Sequence, residues 1–357
     1  MSLRRWLAQI HLWCGLVLAV YAIAIGVSGG LLVFESRLIA SEYPEFHRPA
    51  FQRTRTTGVA KTLREVRSRY PEWRALSVTW PNEDCPYWMI YLIRSREALE
   101  VYSDGRSIVG ARNPSAGWIG FVRRLHVSLL GGSAGRLVNG CCAALLLVLA
   151  VTGVALWVPG KRLAFRLREM HYAMGIVCAM FIALLAFTGL YFVWPQLFVD
   201  TVGRVWTRAG EPRLVTEGRS ASALLPLDDL AGSAQASIPN RSIYRIEVVE
   251  RPDQAVHVTF LEGTVAEFHR VSTVVLDPTS GRVLQRRLLS ERRTGDSILA
   301  WFSALHFGVF GGWAVKIVWS VWALSLPLLA LSGFLMWRRR WTGARRELLL
   351  RTPRQTM

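Results

Sequence analysis

Four of the chain's seven histidines lie in apolar surroundings, and they come as two copies of one pattern. His11 and Gly15 return 160 residues later as His171 and Gly175. Leu125, His126, Gly131, Gly132, Gly153 and Trp157 return 180 residues later as Leu305, His306, Gly311, Gly312, Gly333 and Trp337. An ionisable side chain in lipid costs free energy unless it has a partner, so each histidine is a functional candidate by default. Neutral imidazole is a common ligand of haem iron, and two per iron make a six-coordinate electron carrier. Four in duplicated register read as two pairs of axial ligands to haem b. The rival reading of any single histidine is an interfacial residue hydrogen-bonded to backbone or water. A transporter using the histidines directly calls for acidic partners in the spans, and only Glu35 stands there, at an edge.

These histidines have to be positioned by membrane helices. The chain is 52% hydrophobic with 15 tryptophans, more than a soluble core needs. Stretches 10–34, 135–158, 172–195 and 314–337 are long and apolar enough to span. Arg4 and Arg5, then Lys161, Arg162, Arg166 and Arg168, then Arg338, Arg339, Arg340, Arg345, Arg346, Arg351 and Arg354 all fall on one side of a four-span chain. That side is the cytoplasm by the positive-inside rule, so both termini are cytoplasmic and both long loops face outward. The net charge of +18 is then a consequence of topology, and nucleic acid is not an expected partner.

The topology sets the pairing. His11 and His171 begin outward-running spans and belong at the cytoplasmic end. His126 and His306 precede inward-running spans and belong at the outer end. From His126 to Trp157 a straight helix would measure roughly 47 Å against a hydrocarbon core of about 30 Å. A break is expected near Gly131 and Gly132, and again near Gly311 and Gly312, with His126 and His306 on short interfacial segments. Gly15 and Gly175 stand one turn from their histidines on the same helix face, where a bare backbone lets a porphyrin lie flat. The alternative is ordinary small-residue packing. Arg123 and Arg124 precede His126 and suit haem propionates, or else serve as surface cations. The second copy has Ser303 and Ala304 there, with Arg292 and Arg293 further upstream.

Each outer loop reads as a small α+β domain. In 37–120 a helical pattern through Val59, Leu63, Val66 and Tyr70 stops at Pro71, and strands follow at 75–80, 87–93, 98–102 and 107–111. In 197–300 a weaker helix near 221–237 precedes strands at 242–249, 255–260, 271–276 and 283–289. His47, His257 and His269 read as surface or sheet residues. No CxxC or CxxCH occurs, so there is no zinc ribbon and no covalent haem attachment; any haem is held non-covalently. No nucleotide-binding glycine fingerprint is present either.

The Arg4-Arg5-Trp6 start with His11, the Leu-His segments at 125 and 305 with their following glycine pairs, and the hairpin from Leu276 through Asp277, Pro278 and Gly281 to Val283 resemble the PepSY-associated transmembrane family. The resemblance covers nearly the whole chain. It implies an α-helical polytopic membrane protein, four transmembrane helices in a duplicated two-helix unit, with two small PepSY-like α+β outer domains. The expected divisions are 1–36 (first span), 37–120 (first periplasmic domain), 121–160 (His126 segment and second span), 161–196 (cytoplasmic loop and third span), 197–300 (second periplasmic domain), 301–338 (His306 segment and fourth span) and 339–357 (basic tail). Some members are haem-containing reductases of iron-loaded siderophores in the bacterial inner membrane. By resemblance the substrate is a ferric siderophore in iron uptake, reduced outside with electrons from an unidentified cytoplasmic or membrane donor. The rival from the same family is a non-enzymatic, membrane-anchored PepSY regulator, chaperone or protease inhibitor.

Overall fold

The computed structural model describes residues 2–47, 58–157, 166–210, 223–267 and 269–351, with side chains to residue 342 except that of Ala266. Lys161 and Arg162, and the side chains of Arg345, Arg346, Arg351 and Arg354, lie outside this description. The chain forms two compact units. One comprises Met1–Phe34, Val122–Phe198 and Leu305–Met357; the other comprises Glu35–Phe121 and Val199–Ala304.

The first unit is helical. Its elements are α1 (Leu3–Val17), α2 (Ala19–Leu32), α6 (Gly132–Leu156), α7 (Leu167–Val193) and α11 (Gly312–Arg351). Among the described residues, α6, α7 and α11 are long and apolar enough to cross a membrane, and the α1–α2 pair makes a fourth span if counted as one. The sequence reads that first span as a single stretch, but it bends by 63° between α1 and α2. Leu18 is the pivot, fully buried against Leu146 and Ala186. α1 packs against α6, α2 against α11, and α7 against both α6 and α11. The α2–α11 approach needs a glycine: a Cβ on Gly26 would sit 2.5 Å from Pro327 Cδ and 2.8 Å from the Ala323 carbonyl oxygen. Val20, Val151, Met180, Val321 and Leu328 are exposed, which suits helices whose outer solvent is lipid.

Two shorter helices lead into α6 and α11. These are α5 (Gly117–Ser128) and α10 (Thr294–Phe307), and each crosses the boundary between units. α5 ends where Leu129 and Leu130 take positive φ (47° and 62°), and Gly132 (57°) opens α6. The exit is closed by Leu130 N–H donating to the Arg124 carbonyl at 3.2 Å, a Schellman-type bond. In the second copy Gly308 (64°) and Gly312 (62°) make the break. Both breaks fall where the span-length argument requires them. Helices α3 (Glu35–Glu42) and α8 (Pro195–Val205) were not expected from sequence; Pro195 opens α8, a position where its missing N–H costs nothing.

The second unit is built on one antiparallel sheet of eight strands, in the order β4-β3-β2-β1-β5-β6-β7-β8. The strands are β1 (Arg74–Thr79), β2 (Trp88–Arg94), β3 (Glu97–Ser103), β4 (Ile108–Arg112), β5 (Ile243–Glu247), β6 (Val256–Leu261), β7 (Val271–Leu276) and β8 (Val283–Arg287). Each half carries one helix, α4 (Val59–Arg69) or α9 (Leu227–Ser237), and the two helices touch each other. The sequence reading of two separate outer domains is corrected here. β1 pairs with β5, with Val78 opposite Ile246 and both fully buried, and Trp80 N–H donates to the Tyr244 carbonyl at 2.8 Å. The halves share one core through Val66, Ile90, Leu230, Ala234, Val258 and Val274. The physical reason is that β1 and β5 would otherwise be exposed edges, which invite pairing.

Inside the first half, Arg112 Nη2 lies 2.6 Å from Glu100 Oε2 with side chains only 7% and 12% exposed. Tyr102 donates to Glu100 at 2.8 Å and accepts from Arg112 Nε at 3.0 Å, and its ring stacks on Phe46. Burial pushes the nearby Cys85 thiol up to about 11, which disfavours the thiolate at neutral pH.

Candidate functional site

The four histidines gather into two pairs, both within the helical unit. His126, on the last turn of α5, and His306, on the last turn of α10, face each other with ring centres 6.2 Å apart and planes tilted by 55°. Metal–nitrogen bonds of about 2.0 Å on both sides of one metal put imidazole centres about 6 Å apart, so the spacing admits one iron between them. Phe192 packs at 5.1 Å from His306.

His11 and His171 line the other site, a cavity of about 1460 Å³ between α1, α6, α7 and α11. This exceeds the range of about 300–1,000 Å³ usual for small-molecule pockets. Gly15 and Gly175 line it too. A Cβ there would meet only Leu149 at 3.7 Å or Leu329 at 3.9 Å, so protein packing does not demand glycine at either position. The space beside each is left to whatever fills the cavity. Trp157 and Trp337 wall it, and Arg4, Arg5, Arg166, Arg168, Arg339 and Arg340 stand among its lining residues. In the sequence these arginines mark topology; their gathering around one cavity depends on long-range packing.

The arginines that were singled out fare differently. Arg123 lies one turn before His126 on α5, and Arg124 is exposed. Neither lines the large cavity. Arg292 donates to the carbonyls of His269 and Val271, both at 2.8 Å, and Arg293 to that of Arg208, so these two are engaged locally rather than standing in for Arg123 and Arg124. His269 is buried against Trp301, and His257 is a β6 residue. His47 Nδ1 meets the Asp84 carbonyl.

Sequence reasoning missed the residues that hold the rings. Each Nδ1 contacts a hydroxyl on a neighbouring helix: His11 with Thr152 at 3.0 Å, His171 with Ser332 at 2.7 Å, His126 with Ser28 at 3.1 Å and His306 with Thr188 at 3.0 Å. The next residue is always glycine. A Cβ on Gly153, Gly333, Gly29 or Gly189 would meet the Cε1 of the same imidazole at 3.1, 3.4, 2.9 or 3.5 Å. The signal was available: Ser28 and Thr188 repeat at the offset of the first histidine pair, Thr152 and Ser332 at that of the second. The backbone under the outer pair is also clamped. Asn139 Nδ2 donates to the carbonyl of His126 at 2.8 Å, and Trp319 Nε1, at the equivalent place in the second copy, to that of Leu305 at 2.6 Å.

Among the described residues, no group of three or more His, Cys, Asp or Glu gathers to hold a bare metal ion. Two opposed imidazoles are instead the donor set for an iron whose other four positions are already filled, as in haem. The glycine-walled cavity beside His11 and His171 has room for such a group, and the His126–His306 pair has the ring spacing for one iron. With haem as the occupant, Gly175→Leu is expected to fill the space beside His171 and lower haem occupancy there severalfold while leaving the His126–His306 site unchanged; quantitative haem spectra of the purified variant check this.

Among the described residues, three helices long and apolar enough to span a membrane, or four with the bent α1–α2 pair, together with an antiparallel sheet, mark a polytopic membrane protein. The chain belongs to the PepSY-associated transmembrane family, whose model for the PepSY-associated TM region matches residues 8–340. No curated protein matches the chain.

Proposed function

We propose that this membrane protein is a di-haem b oxidoreductase that carries electrons across the bilayer to a ferric chelate, a siderophore by family resemblance. The observation that supports it most is the pair of two-imidazole sites at opposite ends of one bundle. His171 and Thr188, the partner of His306, are both on α7, 17 positions and hence about 26 Å apart. That is close to the thickness of the hydrocarbon core, about 30 Å. Haem, when bound, supplies the one-electron chemistry.

The chain's own residues do the rest. His11 and His171 hold the site at the end bearing Arg4, Arg166 and Arg339, the cytoplasmic end by the positive-inside rule. Those guanidiniums suit the carboxylates of a porphyrin. His126 and His306 hold the site toward the periplasm, on the two helices that continue from the sheet unit. The apolar helices between exclude water from the path. Each ferric iron reduced takes one electron, which a cytoplasmic or membrane donor must replace. The proposed location is the bacterial inner membrane, with both termini in the cytoplasm.

Chemically reduced protein is expected to be reoxidised by a ferric siderophore, with ferrous iron captured by ferrozine one for one with haem oxidised. Reoxidation no faster than a buffer control contradicts the ferric substrate.

A further inference from the structure

The four hydroxyls do more than fill space beside the imidazoles. Each has a single hydrogen to give, and each oxygen also stands close to a carbonyl one turn back in its own helix. Ser28 reaches Ala24 at 2.6 Å, Thr152 reaches Val148 at 2.7 Å, Thr188 reaches Leu184 at 2.8 Å and Ser332 reaches Leu329 at 3.0 Å. A carbonyl only accepts, so it takes the hydroxyl hydrogen. With its hydrogen on that carbonyl, the hydroxyl offers the imidazole a lone pair, and Nδ1 supplies the hydrogen between them. The same carbonyl–hydroxyl–Nδ1 geometry recurs at all four sites, and it suits a chain running in one direction. In a neutral ring with Nδ1 protonated, Nε2 keeps the lone pair.

We propose that Ser28, Thr152, Thr188 and Ser332 are positioning residues that fix the Nδ1–H tautomer of the four histidines, aim Nε2 as the ligating nitrogen and raise its donor strength. The part that concerns iron rests on the haem reading above; the tautomer does not. Gly29, Gly153, Gly189 and Gly333 complete the device, because the bare backbone lets each ring settle beside its hydroxyl. Donation from Nδ1 makes Nε2 a better ligand, and a hydrogen-bond chain strengthens each member. A stronger imidazole donor favours ferric over ferrous iron, so the hydroxyls hold the midpoint potentials down.

The test uses Thr188→Val, Thr188→Ser and Ser28→Ala in the full chain. Thr188→Val is expected to weaken haem binding at the His126–His306 site by about 10–100-fold, the usual cost of losing such a partner. Its midpoint is expected to rise; a tenfold change in the ferric-to-ferrous affinity ratio reads as about 59 mV for one electron. Thr188→Ser restores the wild-type value, Ser28→Ala moves the same centre in the same direction, and the His11–His171 centre stays put in all three. ¹⁵N-histidine NMR of haem-free protein gives the second readout: the Nδ1–H tautomer for His306 in the wild type, and a mixture in Thr188→Val. Thr188→Val matching the wild type in both potential and tautomer overturns the proposal, as does Thr188→Ser behaving like Thr188→Val. A wild type that takes up no haem defeats the functional reading instead, and the NMR measurement still decides this one.

Discussion

His306→Ala is expected to remove one haem of two and leave the other with its wild-type spectrum. His306 and His126 face each other across 6.2 Å, so losing either imidazole leaves an iron site with one ligand and a hole where the ring stood. His126→Ala therefore removes the same spectral component as His306→Ala. His11→Ala and His171→Ala remove the other component, because those rings line a separate cavity at the far end of α7. Haem per chain falls by about half in each single variant and to near zero in His11→Ala with His306→Ala. Low-spin α and β bands, resolved by potential, report which centre is lost. Loss of one and the same component in His11→Ala and His126→Ala would show that the pairs are wrongly drawn.

Glu100→Leu is expected to destabilise the sheet unit strongly. It leaves the buried Arg112 guanidinium without its carboxylate, beside Tyr102 and the Tyr43 ring. Breaking a buried pair from one side costs about 3–5 kcal/mol. For a unit of this size that lowers the unfolding temperature by about 10 °C. The double variant Glu100→Leu with Arg112→Met should recover most of the loss, since replacing both charges by apolar groups is often close to neutral. Thermal melts of the detergent-solubilised full chain, followed by circular dichroism in the β region, measure both. A Glu100→Leu melt within 1–2 °C of wild type would mean that water reaches the pair.

Much of the fold is legible in the sequence because its signals are local. The alternation in 271–276 becomes β7 over the same residues, and the pattern from Val59 to Tyr70 becomes α4, ending at Arg69 before Pro71. The breaks before α6 and α11 follow from span length and glycine placement. What stayed hidden is long-range. Nothing in either half announces that β1 and β5 pair, because an edge strand and a central strand of an antiparallel sheet carry the same alternation. The 63° bend at Leu18 has no proline to mark it. The histidines stood out because their type is rare in lipid. Their partners did not, because Ser28, Thr152, Thr188 and Ser332 are small polar residues that membrane helices use freely in packing. Only the duplication, applied to hydroxyls as well as to histidines, separates them from the background.

Whether one chain holds two haems between four histidines is read by a pyridine haemochrome assay of purified wild-type protein from haem-replete cells. About two b-type haems per chain are expected, released by acid acetone since no CxxCH occurs in the sequence, with the low-spin spectrum of paired imidazole ligands on reduction. A colourless preparation that stays colourless after haem is added contradicts it.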